Sequence, residues 1–166
     1  MRRSRGRLTA WLLFLIALVV AGSVIAEVAL LPEPNPHRRF KGTVLSRRGD
    51  ELLRPACFDC HSNETRWPWY SYVPPLSALI VWDVARAREH LNFSEWDQIP
   101  EPKQAKHLQK ALQEIRDGEM PLERYLWMHP EAGLSKGDLA TLEQEVRGRY
   151  GAEFTEPPAD DEEHEH

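Results

Sequence analysis

An uncharged run of 19 residues near the N-terminus constrains this chain more than any other feature of its sequence. Residues 8–26 (LTAWLLFLIALVVAGSVIA) contain no charged side chain. As an α-helix this run would be about 28 Å long, close to the roughly 30 Å hydrocarbon core of a bilayer. Four arginines precede it, and the next basic residue is Arg38. By the positive-inside rule, this asymmetry predicts a single-pass membrane helix with a cytoplasmic N-terminus and an exported remainder.

A cleaved signal peptide is the alternative interpretation of the same run. Small residues near Ala26 offer a cleavage site, although signal peptides have shorter apolar regions of about 7–15 residues. The length of the run therefore favours an uncleaved anchor, which we place at residues 1–31. Under either interpretation the following domain lies outside the cytoplasm, and in a bacterium it would be periplasmic, beside the inner membrane.

Prolines and charges divide the rest of the chain into a linker, one domain and a tail. Alternate prolines favour an extended polyproline II spacer, so 32–37 is predicted to be a linker. Residues 155–166 contain six carboxylates and no lysine or arginine, which predicts a disordered acidic tail. The remaining segment, 38–154, is long enough for one compact domain. The net charge of −5 for the whole chain gives no indication of a nucleic-acid partner.

Apolar residues recur at helical spacing along this domain. Three long helices are predicted, over 75–91, 102–117 and 134–150, and a short one over 122–128. The apolar face of the first is expected to comprise Leu76, Leu79, Ile80, Val84 and Ala87. No segment alternates as a strand would, so the fold class is all-α.

Residues with capping and turn preferences mark the ends of these helices. Gly118 is placed to end the second helix. Ser135, with Asp138 three residues later, is placed to cap the third helix. Long loops are expected at 66–74 and 93–100.

The two cysteines lie three residues apart and are followed at once by a histidine. The run Cys57-Phe58-Asp59-Cys60-His61 has the spacing of a c-type haem attachment site. On one turn of helix, two thiols can add to the two vinyl groups of a haem, and the next residue can present an imidazole to the iron. Export from the cytoplasm is consistent with this chemistry.

Two other uses of a Cys-x-x-Cys pair compete with haem attachment. A thioredoxin-like redox pair is expected beside a βαβ pattern, which this sequence lacks. A structural zinc site needs two further ligands at suitable spacing, and the chain has no second cysteine pair. The sequence therefore predicts one covalent haem c, attached through Cys57 and Cys60 and coordinated by His61.

Four blocks of sequence carry a resemblance to a known family. They are CFDCHSNETRWPWYS at 57–71, REHLNFSEW at 88–96, GEMP at 118–121 and YLWMHPEAGLS at 125–135. Together they resemble the bacterial haem-binding domain family of short, membrane-anchored, single-haem proteins. The match spans roughly residues 40–150. The resemblance implies a compact, cytochrome c-like helical fold with a covalent haem c.

Met120 is the first candidate for the sixth iron ligand. It lies between Gly118 and Pro121, in a loop that resembles the axial methionine loop of small cytochromes c. A methionine that fills a gap in the core is the ordinary alternative. Ligation by His90 or another histidine, and an open or water-bound iron, remain as further alternatives.

Aromatic residues crowd together just after the motif, with Arg66 beside them. This group comprises Trp67, Trp69, Tyr70 and Tyr72. Flat rings can shield a haem from water while their N–H and O–H groups reach its propionates, and Arg66 could neutralise a propionate. Ordinary core aromatics with a solvated arginine are the alternative. We take Arg66 and Trp67 as candidate haem contacts.

These features favour an electron carrier over an enzyme. The expected protein is a membrane-tethered c-type cytochrome that exchanges electrons with respiratory-chain proteins and has no catalytic residues. Two alternatives stay open. One is a haem enzyme or enzyme subunit whose open iron face reacts with peroxide or a small gas, and the other is a haem-based sensing or binding module. Axial ligation separates these classes.

Overall fold

The computed structural model describes residues 11–23 and 31–151 of the chain. Residues 11–23 are helical, whereas the predicted membrane helix over 8–26 extends beyond them at both ends. The predicted acidic tail over 155–166 lies outside the described residues. Within the two described ranges, no helix is both long enough and apolar enough to cross a membrane.

All regular structure in the described ranges is helical, which confirms the all-α prediction. The α-helices are α1 (11–23), α2 (Arg47–Leu53), α3 (Asp59–His61), α4 (Leu76–His90), α5 (Glu101–Asp117), α6 (Glu123–Leu126) and α7 (Lys136–Tyr150). A π-helical turn, Arg54–Phe58, joins α2 to α3. Shorter 3₁₀ turns comprise Trp69–Tyr72, Phe93–Gln98 and Pro130–Ala132.

The chain forms two compact units. The first consists of Met1–Pro34 and Trp67–Asp83, and the second of Asn35–Arg66 and Val84–His166. Helix α4 begins in the first unit and ends in the second. The cysteine-histidine motif lies in the second unit.

The core of the second unit forms where α2 and α5 pack against α7. Helices α5 and α7 are antiparallel, because the Tyr150 hydroxyl donates to Gln104 Oε1 at 2.9 Å while Arg116 pairs with Glu143. The buried apolar side chains of this core include Phe93, Trp96, Leu108, Leu112, Leu142 and Val146. Removal of such side chains from water is the main favourable contribution to the stability of a helical domain.

The predicted helix ends are confirmed. Gly118 ends α5 with a φ of 80°, a left-handed conformation that glycine adopts without a steric penalty. Ser135 and Asp138 form a reciprocal capping box at the start of α7. These ends were predictable because they depend on residues that are adjacent in the sequence.

Three local predictions need correction. The segments expected to be long loops, 66–74 and 93–100, each contain a 3₁₀ turn, and the second turn buries Phe93 and Trp96. The N-terminal half of α4 does not bury its predicted apolar face, since Leu76 and Leu79 are each 41% exposed. Val84, a member of the predicted face, is buried as expected. Ser77, which was not predicted to face the core, is buried too, seven residues before Val84 on the same side of the helix.

Candidate functional site: the cysteine-histidine motif

The motif lies at the end of one continuous helical segment. Residues 47–61 run from α2 through the π-helical turn into α3. Pro55 lies in that turn and has no backbone N–H to donate, which is one local reason for the departure from α-helical bonding. Cys57 and Cys60 form no disulfide, and both are half-buried. The segment therefore presents two thiols and an imidazole within five residues.

A backbone carbonyl fixes the protonation of His61. Its Nδ1 lies 3.1 Å from the carbonyl oxygen of Leu91. Because a carbonyl can only accept, Nδ1 carries the proton and Nε2 keeps its lone pair. Burial lowers the pKa of His61, with the hydrogen bonds to backbone carbonyls opposing that effect. A neutral imidazole with one nitrogen hydrogen-bonded to a carbonyl and the other free is the form that binds a metal.

Cys57 does not have the environment of a reactive redox thiol. Burial, followed by the charge of Cys60, raises the pKa of Cys57 to about 12. Catalytic and redox cysteines have thiol pKa values below the ordinary value of about 8.5. The environment of Cys57 thus disfavours the thioredoxin-like alternative.

Asp59, between the two cysteines, anchors the motif to two other segments. It is 8% exposed. Its Oδ1 accepts from the backbone N–H of Arg66 at 3.3 Å and from the Arg66 Nε at 3.5 Å, and its Oδ2 accepts from the Tyr125 hydroxyl at 2.9 Å. The Tyr125 ring in turn stacks on His129, with ring centroids 4.4 Å apart. These contacts tie α3 to the segment around α6.

A second polar cluster holds the chain that follows the motif. The Arg88 Nε donates to the carbonyl of Ser62 at 2.8 Å, and its Nη2 donates to Asn35 Oδ1 and Thr65 Oγ1. Ser62, Asn63 and Thr65 are all buried. Arg88 therefore fixes the exit of the motif against α4.

Sequence reasoning missed Asp59, Tyr125 and Arg88. Asp59 is an interior residue of the motif, and the other two lie in the blocks that resemble the haem-binding family. Their place in these blocks was the one signal available in the sequence, because each residue contacts a partner that is distant along the chain. Asp59 and Tyr125 are 66 residues apart, and Arg88 and Ser62 are 26 residues apart.

The other predicted site residues differ from the motif in their exposure and in their hydrogen-bond partners. The Arg66 side chain is 76% exposed and pairs with Asp59. Trp67 belongs to the first unit, and its buried Nε1–H has no hydrogen-bond partner among the described residues. Met120, in the second unit, is 36% exposed, so it does not fill a gap in the core. His90 is also exposed.

These groups fit a haem. Within the second unit, His61 offers a nitrogen donor for a haem iron, Cys57 and Cys60 offer thiols that could bond to its vinyl groups, and Arg66 offers a cationic group for a propionate. In the described ranges, no cluster of three or more His, Cys, Asp or Glu side chains could hold a metal ion, as a structural zinc site requires.

The motif and its setting define a haem-binding protein. The chain belongs to the haem-binding domain family, whose sequence pattern matches residues 32–147. This match confirms the resemblance seen in the four sequence blocks.

A curated protein with a matching segment is nucleolar transcription factor 1-B of Xenopus laevis, which is 28% identical over 69 residues. That alignment covers 39% of this chain and 10% of the transcription factor, so the chain spans about a tenth of that protein's length. No solved structure matches the chain.

Proposed function

We propose that this chain is a membrane-tethered c-type cytochrome that carries electrons in the bacterial periplasm. Its haem would be single and covalently attached, within a cytochrome c-like domain that meets redox partners of the respiratory chain. The observation that carries the proposal is the hydrogen bond from His61 Nδ1 to the Leu91 carbonyl, in a helical segment that also carries the thiols of Cys57 and Cys60.

Cys57 and Cys60 would attach the cofactor. Their two thiols would hold the haem through thioether bonds to its two vinyl groups. Asp59 keeps the turn between the two thiols in place through its bonds to Arg66 and Tyr125. Bound haem supplies a one-electron ferric/ferrous couple.

His61 would coordinate the iron through Nε2. The Leu91 carbonyl orients the ring and makes the imidazole more basic, as outer-shell partners of ligating histidines do. Burial lowers the pKa of His61, which favours the neutral ring whose Nε2 lone pair can bind a metal.

Met120 is our assignment for the sixth ligand. A thioether is a soft, neutral ligand that favours ferrous iron and raises the reduction potential relative to a second imidazole. Coordination by both His61 and Met120 leaves no position for a substrate, and this is why we infer a carrier rather than an enzyme. Pro121 restricts the backbone of Met120 to extended conformations, which suits a side chain projecting from a loop.

Absorption spectra of the purified full chain, ferric and ferrous, with and without carbon monoxide, test this assignment. The unmodified protein should be low-spin and should not bind carbon monoxide. Met120→Ala should give a high-spin ferric spectrum, a lower reduction potential and carbon monoxide binding. Met128→Ala is the matched control, because Met128 is also exposed (53%) and close in sequence.

Other outcomes would move the protein to a different class. Carbon monoxide binding by the unmodified chain would indicate an open iron face and favour the enzyme or sensing alternatives. A spectrum that responds to His90→Ala but not to Met120→Ala would indicate bis-histidine coordination. Removal of haem by acid-acetone extraction would exclude thioether attachment.

A further inference from the structure

Residues 69–82 carry most of the exposed apolar side chains found outside α1. Among the described residues outside α1, nine large apolar side chains are exposed, and six of them lie in this stretch. They are Trp69, Tyr72, Val73, Leu76, Leu79 and Trp82, each between 41% and 74% exposed. We call these six residues the apolar surface. A concentration of this kind marks a binding site, because soluble monomers seldom expose large apolar patches.

Three of these side chains form a stripe along the N-terminal half of α4. Leu76, Leu79 and Trp82 follow one another at intervals of three residues, so they are neighbours on the helix surface. Ser77 and Val84 are buried, and at about 100° of rotation per residue they lie roughly opposite this stripe. Helix α4 therefore turns a polar serine toward the interior and leaves larger apolar side chains outside.

The 3₁₀ turn Trp69–Tyr72 continues the apolar surface ahead of α4. Ser71 closes this turn, because its backbone N–H and its hydroxyl donate to the Pro68 carbonyl at 3.0 and 2.6 Å. The carbonyl of Val73 then accepts from the backbone N–H of Ser77 at 3.0 Å, so the turn leads directly into the first turn of the helix. Ser71 and Ser77 are both buried, and the aromatic and aliphatic side chains between them are exposed.

No charged residue interrupts this stretch of the chain. Residues 67–82 contain none, and the nearest charged residues on either side are Arg66 and Asp83. Tryptophan and tyrosine are enriched where lipid headgroups meet acyl chains, because their rings lie in apolar surroundings while the N–H or O–H reaches water. Protein interfaces, by comparison, have a polar rim. The composition of the stretch is thus that of a surface in contact with the edge of a bilayer.

The apolar surface belongs to the same compact unit as α1, since Met1–Pro34 and Trp67–Asp83 form the first unit. All thirteen residues of α1 are exposed, and they lie within the run that we assign to a membrane anchor. The first unit therefore combines a helix suited to the interior of a bilayer with a surface suited to its edge. We propose that the apolar surface rests in the headgroup region of the bilayer that holds the anchor.

A bilayer, rather than the haem, is the occupant that agrees with the division of the chain into units. The residues assigned to haem attachment and ligation, Cys57, Cys60, His61 and Met120, all belong to the second unit. Segments that lie in a membrane interface bury their apolar side about 5–10 Å into the boundary between headgroups and acyl chains. Such a contact would give the chain a second attachment to the membrane, beside its anchor. This inference rests on the membrane tether of the proposed function but not on haem attachment.

Labelling of the full chain from within the lipid tests the proposal. The haem-loaded protein is reconstituted in vesicles of phosphatidylethanolamine and phosphatidylglycerol, and a lipid-soluble carbene reagent is photolysed there with a scavenger in the water. Peptide mapping should find several-fold more label on Trp69 than on Trp127. Trp127 is the matched internal control, because both tryptophans are 74% exposed and Trp127 belongs to the second unit. Residues 8–26 should also be labelled, as the anchor requires.

Two double variants complete the test. L76E/L79E places charges in the middle of the apolar surface and should lower the label on Trp69 to the level of Trp127, with labelling of residues 8–26 unchanged. L76M/L79M keeps the surface apolar and should be labelled like the unmodified chain. Glutamate and methionine are both good helix formers, so α4 should persist in each variant, which circular dichroism checks.

The labelling pattern separates this inference from the anchor. Label on residues 8–26 with no more on Trp69 than on Trp127 would overturn the inference and leave the anchor in place, and it is the result expected if haem or a partner protein covers the apolar surface. Label on Trp69 without label on residues 8–26 would support the surface and contradict the anchor. Strong labelling of Trp69 in L76E/L79E would also overturn the inference, since the contact would then not depend on the apolar side chains of α4.

Discussion

Asp59 is a buried carboxylate whose partners come from two distant parts of the sequence. Arg66 supplies a backbone N–H and an exposed guanidinium, and Tyr125 supplies a hydroxyl. A buried charge that loses a partner retains its desolvation cost. The contribution of Tyr125 should therefore exceed that of an ordinary surface tyrosine.

Tyr125→Phe removes one donor from Asp59 without creating a large cavity. We expect the free energy of unfolding to fall by about 1–2 kcal/mol, since hydrogen bonds to charged groups exceed neutral ones. Urea denaturation measures this loss. Tyr150→Phe is the control, because the Tyr150 hydroxyl donates to a neutral amide oxygen, and its loss should be smaller. Equal losses in the two variants would show that the charge of Asp59 adds nothing.

The same contact predicts a pH dependence. Burial, followed by the charge of Asp59, raises the pKa of Tyr125 above its ordinary value, which is about 10 in an unfolded chain. A tyrosine with a raised folded-state pKa stabilises the fold fully below pH about 10 and loses that contribution as the pH rises further. The stability difference between the unmodified chain and Tyr125→Phe should thus be constant from pH 7 to 9 and shrink above pH about 10. Denaturation series at these pH values measure it, and a constant difference up to pH 11 would contradict the prediction.

At the scale of secondary structure, Gly118 sets where α5 ends and where the Met120 segment begins. Its φ of 80° is unfavourable for any residue with a Cβ, although a Cβ there would meet no atom within 4 Å. Gly118→Ala should therefore lower the free energy of unfolding by about 1 kcal/mol through backbone strain alone.

Gly148→Ala is the matched control for this change. Gly148 lies within α7, and its added Cβ also meets nothing within 4 Å. Alanine is the better helix former by about 1 kcal/mol, so this variant should become more stable. Thermal or urea unfolding of both variants measures the two effects, and a stabilising Gly118→Ala would show that the left-handed conformation is not required.

The long helices were predictable from the sequence, whereas α2 was not. Helices α4, α5 and α7 have periodic apolar residues, and α5 and α7 also have local end signals. Helix α2 has seven residues including Gly49, and it depends on tertiary contacts. Its N-cap residue Ser46 donates to Glu145, 99 residues away, and a Cβ at Gly49 would lie 2.4 Å from the Glu145 carboxylate. No local pattern contains that information.

For the whole molecule, the cysteine-histidine motif could be found in the sequence, but the residues that support it could not. Cys57, Cys60 and His61 are neighbours, so their spacing alone indicated haem. The Leu91 carbonyl and the Tyr125 hydroxyl reach the motif only after the chain folds, and so does the Arg88 guanidinium, which binds Ser62 just after it. The side that α4 buries at its N-terminal end was also unpredictable. Leu76 and Ser77 are adjacent in the sequence, and tertiary packing determines which of the two is buried.

The membrane anchor is the largest feature that we propose from the sequence, and it would place the haem-binding domain beside a bilayer. Residues 27–37, between an uncleaved helix at 8–26 and the domain, span at most about 40 Å, so such a helix would hold the domain near the bilayer. We expect the full chain to stay in the membrane fraction after a carbonate wash and its mature N-terminus to precede Leu8. Leu15→Arg should release much of the protein, because an arginine at the centre of a spanning helix costs about 2.5–3.5 kcal/mol. Leu15→Ala is the control and should stay bound. A mature N-terminus at Glu27 in a soluble periplasmic protein would show instead that the run is a cleaved signal peptide.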